Sequence, residues 1–285
     1  MWHSLRFSAT VLLGAMLAVS AGFSEPRDHL FKEGSLRALI FSGWNNHDWR
    51  SITTLLVSAL TNTGRFDVRV TEEPAGSSDE TFRPYDVIIM NYVGPRLGKQ
   101  TEDALVDFVR SGKGLVLVHG ASYAFSEMEI LGDNHRGTGM REEPWEDFLI
   151  LSGGIWTESN PKTGHGKYHS FPVEIRDKDH PVTRGMPSSF VTTDELYHDL
   201  KMTTDVRILA TAFSSLESGG TGEDEPLLWT VSYGSGRVFQ TLLGHSPESV
   251  QMPGFIETFV RGSEWAATGE VQSPPRSGIE EEPNQ

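Results

Sequence analysis

The sequence contains no cysteine, few basic residues and, after its N-terminal segment, no long hydrophobic run. Without cysteine the protein has neither disulfides nor a thiolate nucleophile. Only 24 Lys and Arg residues face 39 Asp and Glu residues, a formal net charge of −15, which argues against a nucleic-acid groove because such a groove needs a basic stripe. We therefore expect neither nucleic acid nor, once the N-terminal segment is removed, a membrane as a partner.

The first 21 residues predict a secretory signal peptide. Arg6 gives the segment a positive start, an apolar stretch follows, and Val19-Ser20-Ala21 supplies small residues before a cleavage site. The alternative is an uncleaved membrane anchor, but the apolar run is shorter than the ~20 residues that a spanning helix needs. The prediction is that residues 1–21 are cleaved and that the mature protein is periplasmic or secreted.

Hydrophobic periodicity predicts one α/β domain over residues 30–267. Apolar strands alternate with helices that have one buried face, which specifies a doubly wound, mostly parallel sheet. Two later runs flank Gly234-Ser235-Gly236 and predict a C-terminal antiparallel hairpin. The polar segment 268–285 has no apolar period and is expected to be disordered.

The ten histidines concentrate near the ends of predicted strands. His119 directly follows the most apolar strand, His245 follows the second arm of the hairpin, and His47 lies in the loop after the first strand. Because ligands of open α/β sheets bind beyond the carboxyl ends of the strands, we expect these three side chains to share one pocket. The alternative is that each is structural, bonded to backbone or, for His47, part of a helix-capping sequence.

The segment from Thr192 to His198 has two interpretations. Thr192 and Glu195 match a capping box, which is purely structural. Alternatively, Asp194 and Glu195 present carboxylates to the pocket. Histidine with carboxylate can bind zinc or a similar divalent ion, and can also abstract a proton next to a carbonyl. The candidate catalytic residues are His119, Asp194, Glu195 and His245.

A divalent metal such as zinc is the expected cofactor, and no nucleotide cofactor is expected. The candidate metal ligands are His119, His165, His169, Glu195 and His245. His165 and His169 are four residues apart, but glycine argues against a helix there and on a loop that spacing has no fixed geometry. The loop-rich segment from Tyr123 to Tyr168 is expected to form a partial lid over the pocket.

Five stretches, taken in order, resemble the trehalose-utilisation (ThuA-like) family. They are LRALIFSGWNNHDW, KGLVLVHGAS, DKDHPVTRGMPSSF, TTDELYH and YGSGRVFQTLLGH, and the resemblance runs from about Leu36 to Ala267. It implies a flavodoxin-like fold similar to that of class I glutamine amidotransferases. The cysteine of that enzyme class is replaced at the strand end by Val118-His119-Gly120, so glutamine hydrolysis is excluded.

The resemblance also implies work on 3-keto sugars or 3-keto glycosides. A ketone at C3 acidifies the C2 hydrogen, and the resulting enediolate can expel the C1 substituent. This needs a base, an electrophile and an acid, which histidine, carboxylate and a divalent ion supply. A sugar oxidoreductase is the implied pathway partner. The alternatives are a non-catalytic carbohydrate-binding protein of the same fold and a scaffold that acts through protein contacts.

A sugar or glycoside ligand would meet both polar and aromatic side chains in the predicted loops. The candidate substrate-binding residues are Trp44, Asn46, His47, Tyr123 and His198. Trp49 and Trp156 are further aromatic residues near these loops that could stack on sugar rings. His180, in a proline-limited turn, is interpreted as structural.

Overall fold

The structure is a computed structural model that describes residues 30–123, 125–131, 134–141, 144–275 and 279. The predicted signal peptide, residues 1–21, lies outside the described residues. Among the helices in the described part, none is long and apolar enough to cross a membrane.

Fifteen strands and five helices occur along the described part of the chain. The strands are β1 (Leu36–Phe41), β2 (Phe66–Thr71), β3 (Val87–Met90), β4 (Gly114–Val118), β5 (Ser126–Leu131), β6 (Asn134–Arg141), β7 (Gly154–Ile155), β8 (Gly164–His165), β9 (His169–Ile175), β10 (Ser189–Asp194), β11 (Tyr197–His198), β12 (Lys201–Met202), β13 (Arg207–Phe213), β14 (Asp224–Tyr233) and β15 (Gly236–Thr241). The helices are α1 (Trp49–Thr61), α2 (Asp79–Phe82), α3 (Lys99–Arg110), α4 (Glu146–Ser152) and α5 (Pro253–Thr268).

Nine strands form one mixed sheet in the order β10-β9-β13-β14-β15-β4-β3-β1-β2. The half from β15 to β2 is parallel throughout. Its strands β1 to β4 belong to the alternating units that the periodicity predicted, and β15 comes from the predicted hairpin. The half from β10 to β15 is antiparallel. The expected α/β fold with a mostly parallel core is therefore correct, but antiparallel pairing extends over half of the sheet.

The core lies on both faces of the parallel half. All five residues of β4 are buried, and because successive side chains of a strand point to opposite faces, both faces must be covered. α5 covers one face closely, since a Cβ at Gly114 would lie 2.4 Å from the Ala266 backbone and one at Gly262 would lie 2.2 Å from Phe239. These two glycines set the distance between helix and sheet.

Several local expectations differ from the structure. Asp48, whose side chain accepts the Ser51 N–H, caps α1, so the helix-capping role lies with Asp48 and not with His47. The candidate substrate-binding residue Asn46 is exposed. The capping-box interpretation of Thr192 and Glu195 is wrong, because Thr192 lies within β10 and no helix follows it. Hydrophobic pattern could not find β10, whose residues between Ser189 and Asp194 are largely polar.

The loop-rich insertion contains regular secondary structure, and residues 272 and 273 of the polar segment contact α5. The segment between Tyr123 and Tyr168 contains the antiparallel pair β5–β6 and helix α4. In the tail, the Gln272 N–H donates to Glu264 and the Ser273 carbonyl accepts from Arg261. The disorder predicted for the segment as a whole stays a prediction, since residues 276–278 and 280–285 lie outside the described residues.

Candidate functional site

The candidate site lies at the carboxyl edge of the parallel strands, where three loops deliver one histidine each. His47 follows β1, His119 follows β4 and His245 follows β15. His119 has φ +45°, a left-handed conformation that costs a non-glycine residue about 1–2 kcal/mol. This strained turn directs the imidazole away from the strand and over the sheet edge.

The three imidazoles are packed together, as the sequence predicted. The ring centroids of His47 and His119 are 4.8 Å apart, those of His47 and His245 are 4.9 Å apart, and those of His119 and His245 are 5.5 Å apart. Glu195 completes the group. One potential ligand atom from each of the four residues lies within 4.8 Å of the others. We call these four residues the imidazole–carboxylate cluster.

His119 is fixed by bonds at both ring nitrogens. Nδ1 lies 2.6 Å from the Leu242 carbonyl oxygen, and because a carbonyl only accepts, Nδ1 carries the hydrogen. Nε2 is then the acceptor for the buried Tyr197 hydroxyl at 2.7 Å. The lone pair of His119 Nε2 therefore points at the Tyr197 hydroxyl, which donates to it.

His47 is held from behind by Asn45. The Asn45 amide oxygen lies 3.0 Å from the His47 backbone nitrogen and 2.8 Å from His47 Nδ1. Gly120 allows the ring to sit so close to the sheet edge, because a Cβ there would lie 3.2 Å from His47 Cε1 and 3.0 Å from Val93. His47 therefore lies at the sheet edge, beside His119 and His245.

Glu195 lies between two imidazoles. Its Oε2 is 3.0 Å from His245 Nδ1, and its Oε1 is 3.4 Å from His165 Nδ1. The His245 contact is an ion-pair distance without the alignment of a hydrogen bond, and His245 Nδ1 is buried. His165 is exposed and its Nδ1 also lies 2.8 Å from the Gly166 carbonyl, so it belongs to the rim of the site.

Asp194, the neighbour of Glu195, does not face the site. It is fully buried, and its oxygens accept the backbone N–H groups of Glu195, Gly244 and His245 at 2.8, 2.7 and 3.2 Å. These bonds tie the end of β10 to the loop after β15 and so bring Glu195 beside His245. The geometry makes Asp194 a positioning residue and gives no support to the predicted catalytic role.

Burial and charge set the protonation of the cluster in different directions. Burial, with the nearby His245, lowers the pKa of His47 to about 4, and burial lowers the pKa of His119 well below its usual range. Burial would raise the pKa of Glu195, but His245 and the other imidazoles hold it below its ordinary value. Burial would lower the pKa of His245, but Glu195 raises it. Two neutral imidazoles and an ionised carboxylate are therefore expected at neutral pH.

The remaining sequence candidates lie at the rim or outside the cluster. His169 Nδ1 is 2.6 Å from the Lys167 carbonyl, and His169 is not among the four clustered residues, so the structure does not place it as a metal ligand. His198 follows Tyr197 on β11 and therefore points to the opposite face, where it bonds Asp199 at 2.9 Å. The expected contact of His198 with a ligand in this site does not fit that orientation.

Aromatic candidates differ in their access to the site. The Tyr123 ring lies 5.8 Å from the Trp156 ring and is tilted against it, and the Trp156 ring lies 5.0 Å from that of Tyr197. Trp44 is half-buried, packed against Gly94, whereas Trp49 is only 4% exposed and belongs to the core, so it cannot stack on a sugar.

Sequence reasoning missed three residues of the site. Tyr197 bonds His119, Asn91 bonds Asn45, and the exposed Tyr168 places its ring 5.8 Å from that of His245. Tyr197 stands within the quoted TTDELYH motif, and Asn91 directly follows β3, at the same sheet edge as His119. A search of every strand end for polar residues would have found Asn91, whereas nothing in the sequence pairs Tyr168 with His245.

The cluster fits a divalent metal ion. His245 Nδ1 is buried without an aligned hydrogen bond, and it lies 3.0 Å from a carboxylate oxygen. Ligand bonds of about 2.0–2.2 Å to one tetrahedral zinc ion place neighbouring N and O atoms about 3.3–3.6 Å apart. The four potential ligand atoms lie within 4.8 Å of one another, so they would draw closer around a bound ion. His119 keeps the Nε2 lone pair free of a proton, as ligation requires, because its Nδ1 donates to the Leu242 carbonyl. For His119 Nε2 to bind an ion, the Tyr197 hydroxyl hydrogen would have to turn away.

The fold and site together define an α/β domain with a histidine–carboxylate centre at the carboxyl edge of its sheet. A family model described as trehalose utilisation, ThuA, matches residues 37–266. The chain therefore belongs to the ThuA family. No curated protein matches it.

Solved structures show the same fold. A ThuA-like protein from Parabacteroides merdae is 31% identical with a TM-score of 0.72, and the match covers 84% of this chain and 92% of that one. A ThuA-like protein from Bacteroides uniformis is 22% identical with a TM-score of 0.61, covering 86% and 97%. A β-galactosidase from Rahnella sp. R3 is 14% identical with a TM-score of 0.52, covering 86% of this chain and 33% of that one. The last two show similarity of fold alone.

Proposed function

We propose that this protein is a metal-assisted enzyme that cleaves or isomerises 3-keto sugars or 3-keto glycosides. The supporting observation is the imidazole–carboxylate cluster, whose potential ligand atoms lie within 4.8 Å of one another. Three imidazoles and one carboxylate suit zinc or a similar divalent ion. When bound, such an ion would polarise the C3 ketone oxygen of the substrate.

Glu195 is the proposed base or metal ligand of this reaction. The ketone at C3 acidifies the C2 hydrogen, and a carboxylate can accept that proton or help to hold the ion beside the ketone. Both roles require the charged form, which the surrounding imidazoles favour by lowering the pKa of Glu195. His165, at the exposed rim 3.4 Å from Glu195, is within reach of the substrate side of the site.

Aromatic rings flank the cluster and support a sugar-sized ligand. The Trp156 ring lies 6.3 Å from that of His165, and Tyr168, which is 42% exposed, lies 5.8 Å from His245. Aromatic side chains with a few convergent polar groups are the usual lining of small-molecule sites. The same rings favour the second candidate function, a carbohydrate-binding protein that performs no chemistry.

The proposed substrate places the protein in a reaction sequence. A 3-keto sugar forms by oxidation of the C3 hydroxyl group, so a sugar oxidoreductase would supply the substrate. We propose that both steps serve a secreted or periplasmic pathway, since residues 1–21 have the features of a signal peptide.

The test measures metal content and turnover in the same preparation. The purified protein should carry a divalent ion, and it should convert a 3-keto glycoside in a reaction that stops with a chelator and resumes when Zn²⁺ is restored. His119→Ala should abolish both properties, whereas His169→Ala, a change outside the cluster, should preserve them. Turnover that persists without metal would disprove metal assistance. Sugar binding with no turnover would favour the carbohydrate-binding alternative.

A further inference from the structure

A chain of four buried polar side chains lies behind His47. It consists of Asn45, Asn91, Thr53 and Ser42, none more than 7% exposed. Ser42 follows β1, Asn91 follows β3 and Thr53 lies on α1, so the chain joins three elements beneath the site. Buried amides and hydroxyls of this kind are costly unless each is hydrogen-bonded, and here they bond one another.

The direction of these bonds is determined by one backbone group. The His47 backbone N–H can only donate, and it lies 3.0 Å from the amide atom of Asn45 assigned as Oδ1. That atom must therefore be the oxygen. Since the same oxygen lies 2.8 Å from His47 Nδ1, the hydrogen of the neutral ring must sit on Nδ1.

The other three side chains of this hydrogen-bonded series hold the Asn45 amide in this orientation. Asn45 Nδ2 donates to Asn91 Oδ1 at 3.0 Å, and Asn91 Nδ2 donates to Thr53 Oγ1 at 3.0 Å. Thr53 Oγ1 in turn lies 2.6 Å from Ser42 Oγ. Rotating the Asn45 amide by 180° would place its NH₂ group against the His47 N–H, so a flip would break bonds at both ends.

We infer that Asn45, supported by Asn91 and Thr53, is a positioning residue that locks His47 in the Nδ1–H tautomer and so presents the Nε2 lone pair to the cluster. His119 reaches the same state through the Leu242 carbonyl, 2.6 Å from its Nδ1. Both imidazoles are thus prepared as acceptors before any ligand arrives. The consequence for metal binding rests on the proposed function, but the tautomer itself does not.

The experiment reads the tautomer in metal-free protein and the affinity for Zn²⁺ separately. Long-range ¹H–¹⁵N NMR of ¹⁵N-labelled histidine should show the hydrogen of His47 on Nδ1 in the unmodified chain. Asn45→Ala should release this preference and weaken Zn²⁺ binding 10–100-fold by calorimetry, the usual effect of losing such an outer-shell partner. Asn45→Asp keeps the acceptor and should keep the Nδ1–H tautomer. Asn62→Ala, at the exposed end of α1, should change neither reading.

Each outcome bears on one proposal. If the hydrogen of the neutral His47 ring lies on Nε2 in the unmodified protein, the proposed tautomer is wrong. This measurement does not depend on the folding of any variant. Unchanged Zn²⁺ affinity in Asn45→Ala, with the tautomer released, would overturn its role in metal binding. If the unmodified protein binds no Zn²⁺, the proposed function fails. The NMR measurement of the His47 tautomer then still decides whether Asn45 fixes that tautomer.

Discussion

Two parts of this molecule bury histidine, and they use it differently. The first is the imidazole–carboxylate cluster. The second, which we call the α5 junction, consists of the turn at residues 180–184 and the α5 residues Arg261 and Trp265. There the His180 ring lies 4.8 Å from Trp265, and its Nδ1 accepts the Val182 N–H at 3.2 Å. Arg261 donates to the carbonyls of residues 181, 182 and 184.

The comparison shows that a lowered pKa does not identify a functional site. The pKa is lowered to about 4 in both His47 and His180, with burial as the largest cause in each. At the α5 junction the His180 ring contacts a backbone N–H and the Trp265 ring, and the charges of Arg207 and Asp177 lie close enough to act on it. In the cluster, one potential ligand atom from each of three imidazoles and Glu195 lies within 4.8 Å of the others. Convergence of groups that can bind a ligand, and not the perturbation of one group, separates chemistry from structure.

The largest expected effect separates the two regions by activity. Glu195→Gln keeps the shape of the side chain and removes the charge that a base or a metal ligand needs. Since a general acid–base group contributes ~10²–10⁴ to a rate, we expect turnover to fall a hundredfold or more while the free energy of unfolding barely changes. Glu217→Gln, at an exposed position of a short 3-10 helix, is the matched control and should behave as the unmodified protein. Near-normal turnover in Glu195→Gln would remove this residue from the mechanism.

The sequence predicted the parallel half of the sheet and the position of the site for one physical reason. Buried strands and amphipathic helices leave clear periodic patterns, and in such a sheet the carboxyl ends converge, so His47, His119 and His245 could be placed together. Periodic patterns do not predict which side chains from distant segments meet in the folded protein. Tyr197 reaches His119 from a two-residue strand, and β10 has too few apolar residues to be recognised.

The difference between Asp194 and Glu195 shows the same limit. The two carboxylates are adjacent in the sequence and were expected to share one role. Their environments differ, because strand β10 ends at Asp194. The Asp194 side chain accepts the backbone N–H groups of Gly244 and His245. Glu195 instead lies beside the His245 imidazole. No sequence pattern distinguishes a buried acceptor of backbone hydrogen bonds from its pocket-facing neighbour.

The second prediction concerns stability at the α5 junction. Arg261→Met removes a buried guanidinium, which leaves the carbonyls of the 181–184 turn without their donor and the buried Glu257 without the nearby cation at 3.5 Å. Breaking such a buried arrangement costs about 3–5 kcal/mol, so we expect a large drop in the urea midpoint. Arg83→Met, on the exposed surface, is the control and should cost little. The folded fraction of Arg261→Met should retain normal turnover per molecule, and a loss of turnover beyond the loss of folded protein would show that the two regions are coupled.

The smallest expected effect appears as a pH dependence of stability. The pKa of His180 is lowered from 6.5 to about 4, first by burial and then by the charge of Arg207. Between these two pH values the unfolded chain binds a proton that the folded chain does not, so the free energy of unfolding falls as the pH falls through this window. His180 should account for about 1–3 kcal/mol of that fall.

His180→Asn isolates this contribution, because the asparagine oxygen can still accept the Val182 N–H while the side chain no longer titrates. Protonation of His47 and His119 also lowers the free energy of unfolding in acid, but this contribution is the same in both proteins. Because the substitution removes the packing of the ring against Trp265, the variant should have a lower free energy of unfolding than the unmodified protein above pH 7. This difference in the free energy of unfolding should shrink as the pH approaches 4. Urea unfolding at several pH values measures the difference. If the free energy of unfolding of the two proteins changes with pH in parallel over the whole range, the burial of His180 is not linked to its protonation. The α5 junction would then not share the lowered histidine pKa of the cluster.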